Sequence, residues 1–318
     1  MATLTFPEAV PSPVDDCETL NAAFTGLGTD EKAIIRTLGH RNANQRKQIR
    51  DTYELLYDKY LADHLHSELS GDFGKAVVLW IYDAPERDAR LANSSLKSMR
   101  KGVAELQVIV EIACVASPQY LLAVRQCYCF LFDCSLEEDI VSEVPLPVRK
   151  VLVSLVSSFR HDKEVVNSTV ASEEAIKLHE SIEAKKLDDD ELIMVLSTRN
   201  VFQLRETFKF YRDSYGRSLD QDIADCGHGV LESLLRAVVL CIDSPLKHFS
   251  EVLRNSIAGM GTDEYSLTRV IISRAEIDLM NIREEYANAY GSNLDDDVAG
   301  DTSGDYKDFL ITLLGANI

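Results

Sequence analysis

The chain has few positive charges for its length and no long apolar run. Its 318 residues carry 33 Lys and Arg against 52 Asp and Glu, a formal net charge of −19 at pH 7. Nucleic-acid binding depends on Lys and Arg that neutralise phosphates, so this balance argues against a nucleic-acid partner. It also argues against constitutive attraction to anionic lipid, which needs basic clusters. The longest apolar run, AVVLWIY, is far shorter than a membrane span, so no transmembrane segment is expected.

Other signatures are missing as well. The opening segment MATLTFPEAVPSPVDD lacks a basic start followed by an apolar core, so we expect no signal peptide. The seven cysteines are odd in number and lack framework spacing, which suits a reducing compartment. There is no D-x-D-x-D-G loop, which excludes an EF-hand, and no GxxxxGK[ST] nucleotide loop. These absences predict an acidic cytoplasmic protein.

The chain does contain a fourfold internal repeat. Four segments share an apolar-Arg-apolar pattern that ends in Tyr, and the positions twelve residues before each Tyr are separated by 75, 83 and 75 residues. This spacing predicts four copies of about 75 residues, with eight extra residues in a polar linker between the second and third copies. The four anchor positions are Arg41, Ala116, Arg199 and Arg274. The predicted boundaries are 1–13 for a short N-terminal segment and 14–83, 84–159, 160–242 and 243–318 for the copies.

Helical periodicity runs through each copy. Ile34, Ile35 and Leu38 fall on one face of a helix, and the next helix begins at a capping Asn42 and carries an apolar stripe that ends at Leu56. Segments that alternate with a period of two are nearly absent. We therefore predict an all-α fold with about five helices in each copy.

Two loops with paired glycines occupy the same place in the first and fourth copies. FTGLGTDE covers residues 24–31 and IAGMGTDE covers residues 257–264. Both place a bare backbone just before a helix, and Thr29 and Thr262 are the predicted N-caps of those helices.

An acidic residue follows each loop at one fixed distance. Glu68 stands forty residues after the second glycine of the first loop, and Asp301 stands forty residues after that of the fourth-copy loop. The second copy keeps the acid, as Glu143, but not the loop, and the third copy keeps neither. Only the first and fourth copies therefore combine a glycine loop with a carboxylate.

This combination suits Ca²⁺, a hard cation that takes about six to eight oxygen ligands in flexible geometry. Glycines allow successive carbonyls to turn towards one point, and a carboxylate from a later helix can complete the set. Open positions would remain for water or a lipid phosphate, so that the cation bridges an acidic protein to an acidic membrane. The predicted ligands are the carbonyls of Phe24, Gly26 and Gly28 with the Glu68 carboxylate, and those of Ile257, Gly259 and Gly261 with the Asp301 carboxylate.

These features resemble the annexin family. The four copies, the GLGTDE and GMGTDE loops and the segment RAEIDLMNIREEY carry the resemblance, and loops kept only in copies one and four are most similar to plant annexins. The resemblance implies a curved disc of four five-helix repeats, in which copies one and four form one module and copies two and three another. It implies that a cytoplasmic protein binds anionic phospholipid membranes peripherally when calcium rises. Self-association on membranes is a further expectation.

Five other residues have predicted roles. Leu27 and Met260, the apolar residues between the paired glycines, are predicted to contact the membrane. His40 lies where plant annexins have a histidine linked to peroxidase activity, and Cys114 and Cys241 lie where the family has been proposed to form a redox-active sulfur cluster. The alternative is that His40 only ends a helix and that both thiols are buried and inert.

The main functional prediction is calcium-dependent phospholipid binding without catalytic residues. One alternative is an enzyme on the same scaffold, either a peroxidase or a nucleotide phosphohydrolase that uses the DTSG segment at 301–304. The other alternative is a helical scaffold that acts through protein partners and carries relic calcium sites.

Overall fold

The computed structural model describes residues 1–26, 28–259 and 261–316. Within these ranges the regular secondary structure consists of twenty α-helices without a strand, which confirms the all-α prediction. None of these helices is both long enough and apolar enough to span a bilayer.

The helices follow the predicted repeat, five to a copy. The first copy contains α1 (Pro13–Ala23), α2 (Glu31–Leu38), α3 (Ala43–Tyr57), α4 (Leu61–Glu68) and α5 (Gly71–Ile81). The second contains α6 (Ala84–Lys97), α7 (Val103–Val115), α8 (Pro118–Phe132), α9 (Leu136–Glu143) and α10 (Val148–Ser157). The third contains α11 (Ser168–Glu183), α12 (Asp190–Thr198), α13 (Val201–Tyr215), α14 (Leu219–Cys226) and α15 (Val230–Asp243). The fourth contains α16 (Pro245–Ile257), α17 (Glu264–Arg274), α18 (Leu279–Tyr290), α19 (Leu294–Asp301) and α20 (Gly304–Leu313).

The third helix of every copy ends in the same backbone conformation. The residue after it has a left-handed φ, which breaks the helix and turns the chain into the fourth helix. These residues lie 75, 83 and 75 positions apart, so the structure keeps the register predicted from the sequence, including the eight extra residues. They are Asp58 (φ 52°), Asp133 (φ 55°), Gly216 (φ 72°) and Gly291 (φ 67°).

The arginine that anchors the sequence pattern lies between the second and third helices and pairs with an acid of the first helix in two copies. In the first copy Arg41 donates two hydrogen bonds of 2.7 Å to Asp16, and both side chains are buried. In the third copy Arg199 donates to Glu174 at 2.5 Å. A buried charge needs such a partner because desolvation would otherwise be costly.

The apolar stripe predictions are confirmed in part. Ile34, Ile35 and Leu38 are buried, and Asn42 caps α3 by accepting a hydrogen bond from the chain that follows it. Leu56 is 47% exposed, so its predicted place on the buried stripe of α3 is wrong. The last residue of α3 that is buried is Tyr53, and the C-terminal end of the helix extends beyond the core.

The chain divides into two compact units. One contains residues 1–87 together with the chain from Phe249 onward, and the other contains Asp88–His248. This partition agrees with the expected pairing of copy one with copy four and of copy two with copy three. In the first unit α2 and α5 pack against α20, and in the second α7 packs against α15 and α10 against α12.

The N-terminal segment is bound to the fourth copy within the first unit. The Thr3 N–H donates to the Ala275 carbonyl at 2.9 Å, and the Thr3 hydroxyl donates to the Leu313 carbonyl at 2.6 Å. The Met280 N–H in turn donates to the Met1 carbonyl at 3.0 Å. Thr3 is 4% exposed, so its hydrogen bonds are protected from water.

Replacing Thr3 by Val should therefore destabilise the protein. Val keeps the shape of Thr but leaves a buried carbonyl without its hydroxyl partner, which costs about 1–3 kcal/mol. We expect a lower denaturation midpoint in a urea titration followed by circular dichroism. The matched control is Thr19→Val on the exposed face of α1, where the hydroxyl donates only to the Asp15 carbonyl one turn back. Equal effects of the two substitutions would contradict a structural role for the Thr3 hydroxyl.

Candidate calcium sites

The two glycine loops adopt a backbone that other residues rarely adopt. The loop between α1 and α2 has Gly26 at φ 148° and Gly28 at φ 95°. The loop between α16 and α17 has Gly259 at φ 125° and Gly261 at φ 95°. Positive φ angles of this kind are accessible to glycine without steric cost.

These positions need glycine because of their positive φ angles, and not because a side chain would lack space. A Cβ added at Gly28, Gly259 or Gly261 would meet no atom within 4 Å. A Cβ at Gly26 would meet only the Gly28 carbonyl oxygen, at 3.9 Å. The loops are therefore open around their glycines, with room for groups from outside the chain.

Both loops are closed by the same hydrogen bond. The Asp30 N–H donates to the Ala23 carbonyl at 2.9 Å, and the Asp263 N–H donates to the Ser256 carbonyl at 2.7 Å. Each bond joins the start of the second helix to the end of the first.

The predicted N-caps of the second helices are wrong by one residue. Asp30 and Asp263 are the caps, and their carboxylates accept hydrogen bonds from the Ala33 and Ser266 N–H groups. An acidic cap is further favoured by the helix dipole. The sequence offered Thr and Asp side by side, and both residue types cap helices well.

The threonines instead connect each loop to the acid that follows it. The Thr29 hydroxyl donates to the Glu68 carbonyl at 3.4 Å. The Thr262 hydroxyl lies 3.0 Å from the Asp301 carbonyl and 2.6 Å from its carboxylate. This role was not predicted from the sequence, although the shared GTDE motif and its fixed distance from the acid indicate it. The hydroxyls position the end of the fourth helix beside the loop.

The two acids are the last residues of α4 and α19. Glu68 is partly exposed, with its Oε1 atom 3.8 Å from the Nε2 atom of His64. Burial lowers the pKa of His64, Lys59 lowers it further, and Glu68 opposes the shift. His64 also lies 2.8 Å from the Tyr53 hydroxyl, through its Nδ1 atom. Among the described residues, the only ion-pair contact of the Glu68 carboxylate is therefore the weak one with His64.

Both acids line one cleft within the first unit, with a volume of about 420 Å³. None of the described residues that line this cleft is Lys or Arg, so its potential is strongly negative and favours a cation. Its six carboxylates come from both copies of the unit. They belong to Glu31, Glu68, Asp72, Glu264, Asp301 and Asp305.

The first residue of each predicted ligand set lies at the end of a helix. Phe24 follows α1, and its buried ring packs against Tyr53 and His64 at centroid distances of 6.4 and 4.5 Å. Ile257 is the last residue of α16 and is half-buried. The end of each first helix therefore fixes the position of the first predicted carbonyl ligand.

The donor set fits a hard cation. Among the described residues no group of three or more His, Cys, Asp or Glu side chains could hold a metal, so any ion here depends on backbone carbonyls. Carbonyls and a single carboxylate are all oxygen donors, which suit Ca²⁺ and not a soft metal. Leu27 and Met260, predicted to contact the membrane, lie outside the described residues, and their role stays a prediction from the sequence.

The second and third copies have lost this arrangement in different ways. In the second copy Lys101 stands at the position of Gly26, and its ammonium group lies 3.6 Å from Glu143. Lys97 also pairs with Glu143 at 3.0 Å, and these two lysines lower the pKa of the Glu143 carboxyl. In the third copy Cys226 ends α14 in place of the acid.

The candidate redox residues do not belong to these loops. His40 follows α2 and is buried, with its Nδ1 atom 3.0 Å from the Thr5 carbonyl oxygen of the N-terminal segment. Cys114 in α7 and Cys241 in α15 are buried in the second unit. Burial raises the pKa of the Cys114 thiol to about 11, although Arg160 opposes the shift. Their predicted redox roles stay predictions.

Four five-helix copies, two of them with an open glycine loop beside an acid, define a helical repeat protein. A family model described as Annexin matches residues 15–80, 173–238 and 248–313, which fall in the first, third and fourth copies. Annexin D3 of Arabidopsis thaliana is 54% identical, with 100% of each chain covered. The chain belongs to the annexin family, and its similarity to this relative confirms the resemblance to plant annexins.

Solved structures agree with this assignment. The structure of chicken annexin V matches with a TM-score of 0.88 and 33% identity, covering 99% of each chain. A structure of calcium-bound annexin (Sm)1 matches with a TM-score of 0.82 and 30% identity, covering 99% of this chain and 93% of that one.

Replacing Gly261 by Ala should weaken calcium binding at the fourth-copy loop. Alanine at a positive φ costs about 1–2 kcal/mol, so we expect about five- to thirty-fold lower affinity in a calorimetric calcium titration. The matched control is Gly300→Ala in α19, next to Asp301, where an added Cβ meets nothing within 4 Å and φ is not positive. A loss of affinity in the control as large as in Gly261→Ala would contradict the backbone explanation.

The Cys114 thiol should react slowly with alkylating reagents. Its pKa of about 11 and its burial leave little accessible thiolate, whereas Cys129 in the same unit is exposed. We expect iodoacetamide at neutral pH to label Cys129 faster than Cys114 by roughly a hundred-fold or more, measured by peptide mass spectrometry. Similar labelling rates would indicate a reactive Cys114 and would favour its redox role.

Proposed function

We propose that this annexin binds anionic phospholipid membranes peripherally in a calcium-dependent manner, through the loops of its first and fourth copies. The observation that carries the proposal is the pairing, in both copies, of positive-φ glycines with the acid that ends the fourth helix. The hydroxyls of Thr29 and Thr262 support this pairing because they reach from the loop to that acid.

The chain's own residues supply an incomplete oxygen shell at each loop. In the first copy the carbonyls of Phe24, Gly26 and Gly28 and the carboxylate of Glu68 would hold the ion. In the fourth copy the equivalent carbonyls act with Asp301. One carboxylate for each site leaves positions that lipid phosphate oxygens can fill, and the open space around the glycines supports their access.

Charge explains why a cation is required. The cleft that contains Glu68 and Asp301 is lined by six carboxylates, and the whole chain carries a net charge of −19. Both would repel an anionic bilayer. A bound calcium ion supplies the positive charge that joins these carboxylates to lipid phosphates.

The comparisons support the choice of ion. The structure of annexin (Sm)1, which has the same fold, is calcium-bound, and the match covers 99% of the present chain. A single carboxylate predicts weak binding without lipid, with a dissociation constant on the order of 10⁻⁴–10⁻³ M. Lipid should tighten calcium binding by the same factor by which calcium tightens lipid binding.

Removing the site carboxylates should raise the calcium requirement. We expect Glu68→Gln or Asp301→Asn to shift the calcium concentration for half-maximal vesicle pelleting upward by about ten-fold, because each variant weakens one of two linked sites. The double variant should lose calcium-dependent pelleting. The assay uses phosphatidylserine-containing vesicles across a calcium titration.

The matched control is Glu143→Gln in the second copy. Glu143 already pairs with Lys97 and Lys101, so its removal should leave the calcium midpoint unchanged. A double variant of Glu68 and Asp301 that pellets with wild-type calcium dependence would refute the assignment of the sites.

A further inference from the structure

The N-terminal segment covers one side of a cavity in the first unit. The volume of this cavity is about 430 Å³, within the range of sites that hold small molecules. Residues 7–11, here called the strap, form one wall through Pro7, Ala9 and Pro11. Residues of α1, of α2 and of the chain just after α2 form the other walls. No described residue of the two glycine loops lines the cavity, so it is separate from the candidate calcium sites.

Hydrogen bonds hold the chain on both sides of the strap. Before it, the Nδ1 atom of His40 lies 3.2 Å from the Thr5 hydroxyl and 3.0 Å from the Thr5 carbonyl oxygen. After it, the Ser12 N–H donates to the Asp15 carboxylate at 3.1 Å, and the Asp15 N–H donates to the Ser12 hydroxyl at 3.2 Å. The strap is therefore fixed in place before any ligand arrives, which reduces the entropic cost of binding.

With His40 neutral, the walls opposite the strap carry an excess of one positive charge. Asp16 accepts two hydrogen bonds of 2.7 Å from Arg41, so these two charges neutralise each other. Arg36 also lines the cavity, is exposed, and forms no hydrogen bond or ion pair with any described residue. The cavity therefore offers one unpaired guanidinium group, although the chain as a whole has a net charge of −19.

One buried hydroxyl in the cavity wall also lacks a partner. Thr37 is 5% exposed, and its hydroxyl forms no hydrogen bond with any described residue. A hydroxyl removed from bulk water usually has a hydrogen-bond partner, because leaving it unpaired is costly. Since Arg36 and Thr37 line the same cavity, both donors are available to one ligand.

We propose that this cavity binds a small organic monocarboxylate with an apolar body. The planar guanidinium group of Arg36 matches the two oxygens of a carboxylate, and the Thr37 hydroxyl supplies a further donor. The strap provides an apolar surface for the rest of the molecule. An apolar wall with a few placed polar groups is typical of small-molecule sites. This function is additional to calcium-dependent membrane binding and does not depend on it.

The charge of the cavity favours a carboxylate over a phosphate monoester. A monoester carries about 1.5 to 2 negative charges at pH 7, whereas the cavity has an excess of one positive charge and also contains the Asp16 carboxylate. The serine headgroup of a lipid has a carboxylate as well, but it carries an ammonium group and a phosphate where the strap offers apolar residues. A free organic acid is therefore the ligand that suits both walls.

The test is a titration of the full chain with naphthoate in excess EGTA, followed by ligand-observed NMR. We expect weak binding, with a dissociation constant on the order of 10⁻⁴–10⁻³ M, because one ion pair with an exposed arginine contributes little. The uncharged analogue naphthamide has the same ring system and should bind about ten-fold more weakly. O-phosphoserine, which represents the lipid headgroup, should not displace naphthoate at equal concentration.

Two substitutions in the polar wall should weaken binding by different amounts. Arg36→Met keeps the length of the side chain but removes its charge and donors, and should raise the dissociation constant about ten-fold. Thr37→Val removes the hydroxyl at nearly constant volume and should raise it about three-fold. Neither change removes a hydrogen bond between described residues, so unchanged thermal melting would confirm that both variants fold.

The matched control is Lys47→Met on α3. Lys47 is exposed, belongs to the same unit and does not line the cavity, so its loss removes the same charge at another position. We expect an effect below about two-fold. Equal losses in Lys47→Met and Arg36→Met would overturn the proposal, because they would show a general attraction of the anion to positive charge.

A variant of the strap separates binding in the cavity from adsorption to Arg36 alone. Ala9→Asp places an acid in the strap wall and should raise the dissociation constant about ten-fold, whereas Ala43→Asp at the exposed start of α3 should change it by less than about two-fold. The proposal would be overturned by an unchanged affinity in Ala9→Asp, by equal binding of naphthamide, or by no wild-type binding up to about 10⁻² M. Displacement by O-phosphoserine would assign the cavity to a lipid headgroup and overturn the free acid as its ligand.

Discussion

A backbone carbonyl can serve a metal ion only if the chain turns it away from its own hydrogen bonds. In the first and fourth copies this depends on glycines at positive φ, with one hydrogen bond across the base of each loop to hold the turn. The rest of each copy serves to bring one carboxylate to that turn. The third helix ends in a left-handed residue, the short fourth helix returns, and its final residue lies beside the loop. The forty-residue spacing is the length of chain that this path requires.

The sequence predicted the features that depend on periodicity and on glycine. Helices, copy number and register follow from apolar stripes and from the recurring Arg and Tyr, because helical packing imposes its period directly on the chain. The loops were recognisable because no other residue tolerates their backbone so well. The anchor arginine was recognisable because it recurs at a fixed distance before a Tyr. Its partner Asp16 could not be identified from the sequence, because the chain contains many other acidic residues that could pair with it.

The predictions that failed concern choices between chemically similar neighbours. Thr29 and Asp30 both suit a helix cap, and only the position of the fourth helix decides that the threonine turns towards Glu68. Leu56 shares the period of a buried stripe but lies where α3 extends beyond the core. The pairing of Lys101 with Glu143 was likewise hidden, because it joins a residue of the loop after α6 to the last residue of α9, and the sequence does not state that these lie in contact. In each case tertiary placement decides between options that local chemistry leaves equal.

The division of the chain into units also affects the order in which the protein can fold during synthesis. The second unit is one continuous stretch, Asp88–His248, so all of its contacts exist before the last copy has been translated. The first unit combines residues 1–87 with the chain from Phe249 onward, and the Thr3 hydroxyl finds its Leu313 partner only after residue 313 has been translated. Domains generally fold as units as they emerge, and contacts between distant residues form slowly. The unit that contains both glycine loops is therefore completed after the other one, and the nascent protein cannot pair both glycine loops with their acids before Asp301 has been translated.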